Sequence, residues 1–172
     1  ESIKIFKNKL GYNPIYFSYP FGEYNLEQKN YISNNFEFAF GQHSGVIDLN
    51  KDRYELPRFP INEKYGEIKR FKEVISYLPL QYKIIKPENK FMNDGENPPK
   101  MTIEFFEDQK NLENINCFSN EGSKWRKTKI ILNDNILNIN FSEKFIERRG
   151  RINCSLKDEN GWRFSGFQFV QN

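Results

Sequence analysis

The chain has 172 residues, with Lys+Arg 26 against Asp+Glu 23, a formal charge of +3 and 28% charged residues. Its mean hydropathy of −0.80 leans towards disorder, but 16% aromatic residues (17 Phe, 9 Tyr, 2 Trp) supply ample core material, enough at this length for one domain or two small ones. The small positive surplus is interleaved with acidic residues, which excludes the basic stripe of a nucleic-acid binder, and no apolar run approaches the ~18 residues of a membrane span.

The first half alternates strand and helix signals. Ile15 to Tyr19 is a short β-branched and aromatic run stopped by Pro20 and Gly22, and Asn25 is placed to cap a helix from Leu26 to Ser33. Phe36 to Phe40 reads as the next strand, closed by Gly41, and Tyr54 to Phe59 as another, followed by Asn62 as an N-cap. From Tyr65 to Leu78 the apolar residues Ile68, Phe71, Ile75 and Leu78 share one helical face, and Pro79 ends the run. This order predicts βα units feeding a parallel sheet, and an open piece of such a sheet leaves apolar edges and faces to be covered.

The second half changes character after Asn93 to Lys100, a Gly- and Pro-containing polar stretch that reads as a linker or long loop. Beyond it the apolar residues alternate with period two: Met101, Ile103 and Phe105; Ile115 and Cys117; Leu137, Ile139 and Phe141; Ile152, Cys154 and Leu156. Asn133-Asp134-Asn135 and Asn160-Gly161 are hairpin signals. The apolar phase shift from Trp162 and Phe164 to Phe167 and Phe169 across Gly166 predicts a β-bulge. The fold class expected is α/β plus all-β, with residues 1–86 as the α/β part and 87–172 as a small antiparallel β-sandwich. Cys117 and Cys154 share the inward parity of their strands, so they can pair as a disulfide in an oxidising compartment or lie as two buried thiols. Trp125 and Trp162 are either core residues of the sandwich or platforms for sugar rings.

Several chemistries lack their residues. One histidine, His43, and two distant cysteines form no zinc spacing, and there is no phosphate loop, nucleophile elbow or zincin motif. The strongest local signal is Phe17-Ser18-Tyr19-Pro20-Phe21-Gly22-Glu23-Tyr24, which puts aromatic faces and backbone N–H groups at the carboxyl end of a parallel strand, where α/β folds build sites. A plain Pro-Gly turn is the competing reading.

The residues FSYPFGEYN resemble the third motif of the NodB-homology polysaccharide deacetylases, usually Arg-x-Pro-aromatic-Gly. The similarity continues through FAFGQHSGVID and LPRFPIN, and GRINCSLKDENGWRFSGFQF resembles the C-terminal β-domain of a bacterial subgroup of these enzymes. The resemblance implies the C-terminal part of a partial (β/α) barrel of NodB type, followed by the sandwich. It implies catalysis with a divalent metal, usually zinc, that activates water against the acetamide of an N-acetylated glycan. Phe21 would give its backbone N–H to the oxyanion, and Tyr19, Pro20, Gly22 and Tyr24 would shape the sugar groove. Ser18 stands where the family has its motif arginine, and Arg58 of LPRFPIN looks like the substitute. His43 falls in a place comparable to the family's late catalytic histidine.

The Thr-Phe-Asp-Asp and His-x-x-x-His motifs that supply base and metal ligands in that family are absent from the chain. The expectation is therefore a C-terminal portion of a deacetylase, inactive without its N-terminal half, with the metal bound by residues not in this chain and the protein periplasmic or extracellular in a bacterium. The alternative expectation is a non-catalytic carbohydrate-binding or cell-surface interaction module.

Overall fold

A computed structural model describes residues 1–48, 50–93 and 95–171. The chain opens with helix α1 (Ser2–Leu10), an element the sequence reading passed over. Its signal is short: Gly11 terminates it at φ 82°, donating its N–H to the Lys7 carbonyl, while Lys7 and Lys9 complement the negative end of the helix.

Strand β1 (Tyr16–Ser18), helix α2 (Leu26–Ser33) and strand β2 (Phe38–Phe40) form a parallel βαβ unit, with Tyr16 opposite Phe38. The α2 N-terminus is fixed by a reciprocal capping box between Asn25 and Gln28, the two side chains each accepting from the other's backbone N–H. The segment expected as a strand from Tyr54 to Phe59 joins this sheet only through a parallel bridge between Leu56 and Phe40. Pro57 and Pro60 cannot donate to a ladder, which limits its length. Between α2 and the strands lies a small core of Tyr19, Tyr24, Ile32 and Ala39, with Phe17, Phe36 and Tyr54 against it.

Helix α3 is shorter than the periodicity predicts, Ile68–Ile75 instead of Tyr65 to Leu78. Asn62 caps only a turn, its side chain accepting from the Tyr65 N–H, and the helix begins after Glu67. Leu78 belongs to a two-residue strand, β3 (Leu78–Pro79). The apolar residues of α3 share one face, as the periodicity predicts, but that face points to solvent: Ile68 is 68% exposed and Ile75 64%.

The remainder is a mixed β-sandwich. One sheet has the order β4 (Ile84–Lys86), β6 (Met101–Glu104), β10 (Ile136–Asn140), β9 (Lys129–Asn133), all antiparallel. The other runs β3, β12 (Gly161–Gln171), β11 (Arg149–Asp158), β7 (Asn116–Ser119), β8 (Arg126–Lys127), with β5 (Phe91–Met92) also alongside β12. Strands β3 and β5 pair with β12 in parallel, so the sandwich is not purely antiparallel. Strands β3 and β4 precede residue 87, so the two sheets reach upstream of the division at 86/87. Two- and three-residue strands are too short to show a period.

Met101, Ile103, Leu137 and Ile139 of one sheet meet Cys117, Ile152, Cys154, Leu156, Phe167 and Phe169 of the other in a single buried core. Cys117 and Cys154 stand opposite one another on β7 and β11 with Cα atoms 4.1 Å apart and are disulfide-bonded. They thus bridge neighbouring strands of one sheet.

Two local expectations change. The β11–β12 register continues unbroken from Arg149–Val170 to Asp158–Gly161, so β12 has no bulge at Gly166. The phase shift arises because both faces of β12 become buried. Phe167 and Phe169 enter the sandwich core, while Gly166, Gln168 and Val170 on the opposite face are covered too. On that face Gln168 bonds the loop after β1, and Phe164 stacks on Tyr77 with ring centroids 5.7 Å apart. The hairpin itself turns at Glu159-Asn160, one residue earlier than the Asn-Gly signal, with Asp158 accepting from the Asn160 and Gly161 N–H groups. The other hairpin turns at Asp134-Asn135 as expected, Asp134 taking φ 50°. In the stretch 93–100, of which Asp94 lies outside the described residues, Asn97 is docked: its side chain donates to the Phe145 carbonyl and accepts from the Phe145 N–H, at 2.8 and 2.9 Å.

Candidate functional site

The ends of the parallel segments converge. After β1 the chain enters Tyr19-Pro20-Phe21-Gly22, after β2 it enters Gly41-Gln42-His43, and after Leu56 it enters Pro57-Arg58. Arg58 ties two of these loops together, donating its backbone N–H to the His43 carbonyl at 3.1 Å and its Nε to the Gly41 carbonyl at 3.2 Å. The Gly22 loop sits so close to the β2 loop that a Cβ on Gly22 would lie 2.7 Å from the Gln42 Cβ.

Phe21 is held at φ 57°, ψ 7°, the left-handed region that a bulky residue enters only when its surroundings enforce it. Enforcement comes from several directions. Gly22 and Glu23 donate back to the Tyr19 and Pro20 carbonyls at 2.9 and 3.1 Å, and the buried Gln168 of β12 donates to the Gly22 carbonyl at 3.1 Å. Glu23 is clamped by Arg148 at 3.0 Å. The Phe21 ring remains 64% exposed, with the Arg149 guanidinium 5.6 Å above it.

His43 packs its ring against Gly41, where a Cβ would come within 2.7 Å of Nδ1. Burial pushes its pKa down to about 4, with the Lys90 charge adding to the drop and Glu55 opposing it. The imidazole is neutral at pH 7.

Tyr19 and Tyr24, expected as groove walls, lie in the core instead, 4% and 5% exposed, with stacked rings 4.3 Å apart. The Tyr24 hydroxyl donates to Glu55 at 3.2 Å, and Lys29 joins Glu55 and Asp52 at 3.4 and 2.8 Å. The rings are inward because the βαβ unit needs them as its principal core. Ser18, Pro20 and Phe21 are the exposed members of the motif.

A small cavity of about 40 Å³ lies beneath the loops, lined by polar groups that include His43, Asp48, Lys51, Glu55 and Lys90 and by apolar ones that include Leu80 and Ile85. It has room for ordered water. Burial lowers the Lys90 pKa and pushes Lys51 down to about 8. Its members come from residues scattered over 24–90 and from 165–168, so no local pattern announces it. Among the described residues no group of three or more His, Cys, Asp or Glu side chains could hold a metal ion, and no helix is long and apolar enough to cross a membrane.

A wider groove, about 390 Å³, opens between the β2 and Leu56 loops and the sandwich, with Gln42, His43 and Arg58 on one side and Trp125, Arg151 and Asn153 on the other. Trp125 is 54% and Trp162 47% exposed, so neither tryptophan belongs to the sandwich core. Comparison with models of protein families, with curated proteins and with solved structures finds no match to this chain.

Proposed function

We propose that the chain is the C-terminal portion of a metal-dependent carbohydrate deacetylase that removes N-acetyl groups from an N-acetylated glycan. The observation that carries this reading is that the loops bearing Phe21, His43 and Arg58 adjoin at the carboxyl ends of neighbouring parallel segments, through Gly22 against Gln42 and Arg58 on Gly41 and His43, with Phe21 held in a strained conformation. Strain of this kind persists where the fold over-determines a functional backbone geometry. The architecture is β-rich with an open parallel piece, and a partial NodB-type barrel is the finer form we infer for that piece.

In this reading the Phe21 N–H donates to the oxyanion that develops as the acetamide carbonyl is attacked. Arg58, fixed by the Gly41 and His43 carbonyls, supplies a positioned positive charge at the same rim. His43, neutral at pH 7, offers a hydrogen bond to substrate. Among the described residues no side-chain group fits a metal; in this reading the divalent ion, zinc in the resembled family, would be held by the N-terminal half. That half would also cover the apolar face of α3. The disulfide fits a periplasmic or extracellular protein.

Acetate release from N-acetylglucosamine oligomers tests the reading. The chain alone is expected to release none, and the chain joined to its N-terminal half to release acetate in a zinc-dependent way; metal-independent release by the chain alone refutes it. The exposed Trp125 and Trp162 favour a second reading, a non-catalytic carbohydrate-binding module, which predicts saccharide binding with no acetate release by either form.

A further inference from the structure

The groove between the parallel-segment loops and the sandwich is lined by three guanidinium groups, Arg58, Arg70 and Arg151, and, among the described residues, by no carboxylate. None of the three forms a salt bridge among the described residues, whereas Arg126, Arg148, Arg149 and Arg163 all do. The Arg70 Nη1 and Arg151 Nε atoms are buried and without a hydrogen-bond partner among the described residues. Unpaired buried donors on like-charged groups are costly, and an anion that accepts from them removes both the desolvation and the repulsion. Two aromatic side chains line the same space: Trp125, more than half exposed, and Tyr65, whose ring lies 5.1 Å from the Arg70 guanidinium. A ligand matched to this wall carries a carboxylate for the guanidiniums and an apolar ring face for the indole. A volume of about 390 Å³ is in the range of small-molecule sites.

We propose that this groove binds an acidic saccharide, a sugar unit bearing a carboxylate, with Arg70 and Arg151 receiving the carboxylate and Trp125 stacking on the ring. Arg58 and His43 belong both to this groove and to the rim described above, so the acidic unit lies beside the reacting acetamide. The identification of the acidic saccharide as substrate rests on the deacetylase reading; its binding does not.

The test is titration calorimetry of the full chain at low salt with three probes: a tetrasaccharide alternating glucuronic acid with N-acetylglucosamine, the N-acetylglucosamine tetramer, and inorganic phosphate. The acidic tetrasaccharide is expected to bind at least about tenfold more tightly than the neutral one, and phosphate far more weakly than the acidic tetrasaccharide. Arg151→Gln and Arg70→Gln should each weaken the acidic ligand by about fivefold or more while leaving the neutral one within about twofold. Trp125→Ala should weaken both. If Arg151→Gln lowers the melting temperature, Arg70→Gln on the solvent-facing helix decides the matter alone. Equal binding of acidic and neutral tetramers, or arginine variants that leave the acidic affinity unchanged, overturns the proposal. Phosphate binding as tight as the acidic saccharide overturns the assignment to a sugar. The two readings fail separately: acid-selective binding with no acetate release by the joined protein supports the groove and refutes deacetylation. Acetate release equally fast from acidic and neutral oligomers supports deacetylation and refutes the acidic preference.

Discussion

Lowering the pH from 7 to 5 should destabilise the protein through His43 in particular. Burial holds this imidazole's pKa near 4 in the folded chain, against the ordinary value of 6.5. A depressed value means that folding favours the neutral ring, so the stability it contributes is present above pH 6.5 and is lost as the pH falls towards 4. Protons bind the unfolded ring first. Between these values the full loss is about 3 kcal/mol, and at pH 5, where the unfolded ring is charged and the folded one is mostly not, it is about 2 kcal/mol. Carboxylates titrate in part of the same range, so the comparison is with His43→Gln, which keeps a polar side chain and removes the titration. Urea unfolding at pH 7 and pH 5 reads the effect: with a slope of about 2 kcal/mol per molar, the natural chain should lose about 1 M more of midpoint than the variant. His43 is the only histidine, so its ring resonances also report its midpoint directly. Parallel pH profiles for the two proteins, or a ring that titrates above pH 6, would refute the reasoning.

Other perturbations address the elements that hold the site. Reducing Cys117–Cys154, or replacing both with Ser, opens a loop of 37 residues' separation and should cost about 2–4 kcal/mol in denaturant unfolding, near the chain-entropy limit of about 4 kcal/mol. A midpoint that ignores reductant would show that the two thiols are not joined. Gly22→Ala places a side chain at φ 68° and against Gln42; the left-handed penalty and the collision together predict a loss of about 2–4 kcal/mol, read by thermal unfolding. Glu121→Ala removes a fully buried carboxylate that accepts from the Glu143 N–H at 2.8 Å and the Ser119 hydroxyl at 3.2 Å, for an expected loss of about 2–3 kcal/mol. Trp162→Ala, by contrast, removes an exposed side chain and should change stability by less than about 1 kcal/mol.

Local chemistry was legible where one residue type does one local job. The α2 cap, the Asp134 turn and the inward alternation of Met101, Ile103, Cys117, Leu137, Ile152 and Leu156 follow from hydrogen-bonding capacity and from the period of a strand. The motif Tyr19 to Gly22 announced a special turn, because a proline and a glycine around an aromatic constrain the backbone before any neighbour is considered. Which way the aromatics of that motif point was not legible. Tyr19 and Tyr24 are core and Phe21 is surface because α2 and Glu55 close over the first pair, and both arrive from elsewhere in the chain.

By itself, then, the sequence determined an α/β beginning, a β-rich remainder, the parity that aligns Cys117 with Cys154, and a Pro-Gly turn after the first strand. Tertiary structure alone decided that β12 is buried on both faces, which converts an apparent bulge into an unbroken strand. It also decided that β3 and β4 join the sandwich, and that Arg58, Arg70 and Arg151 face one groove with no carboxylate among its described lining residues. The reason is one of range. Caps, turns and side-chain alternation are set by neighbours a few residues apart, whereas burial of a second face and convergence of charge depend on surfaces that meet only after the chain has folded.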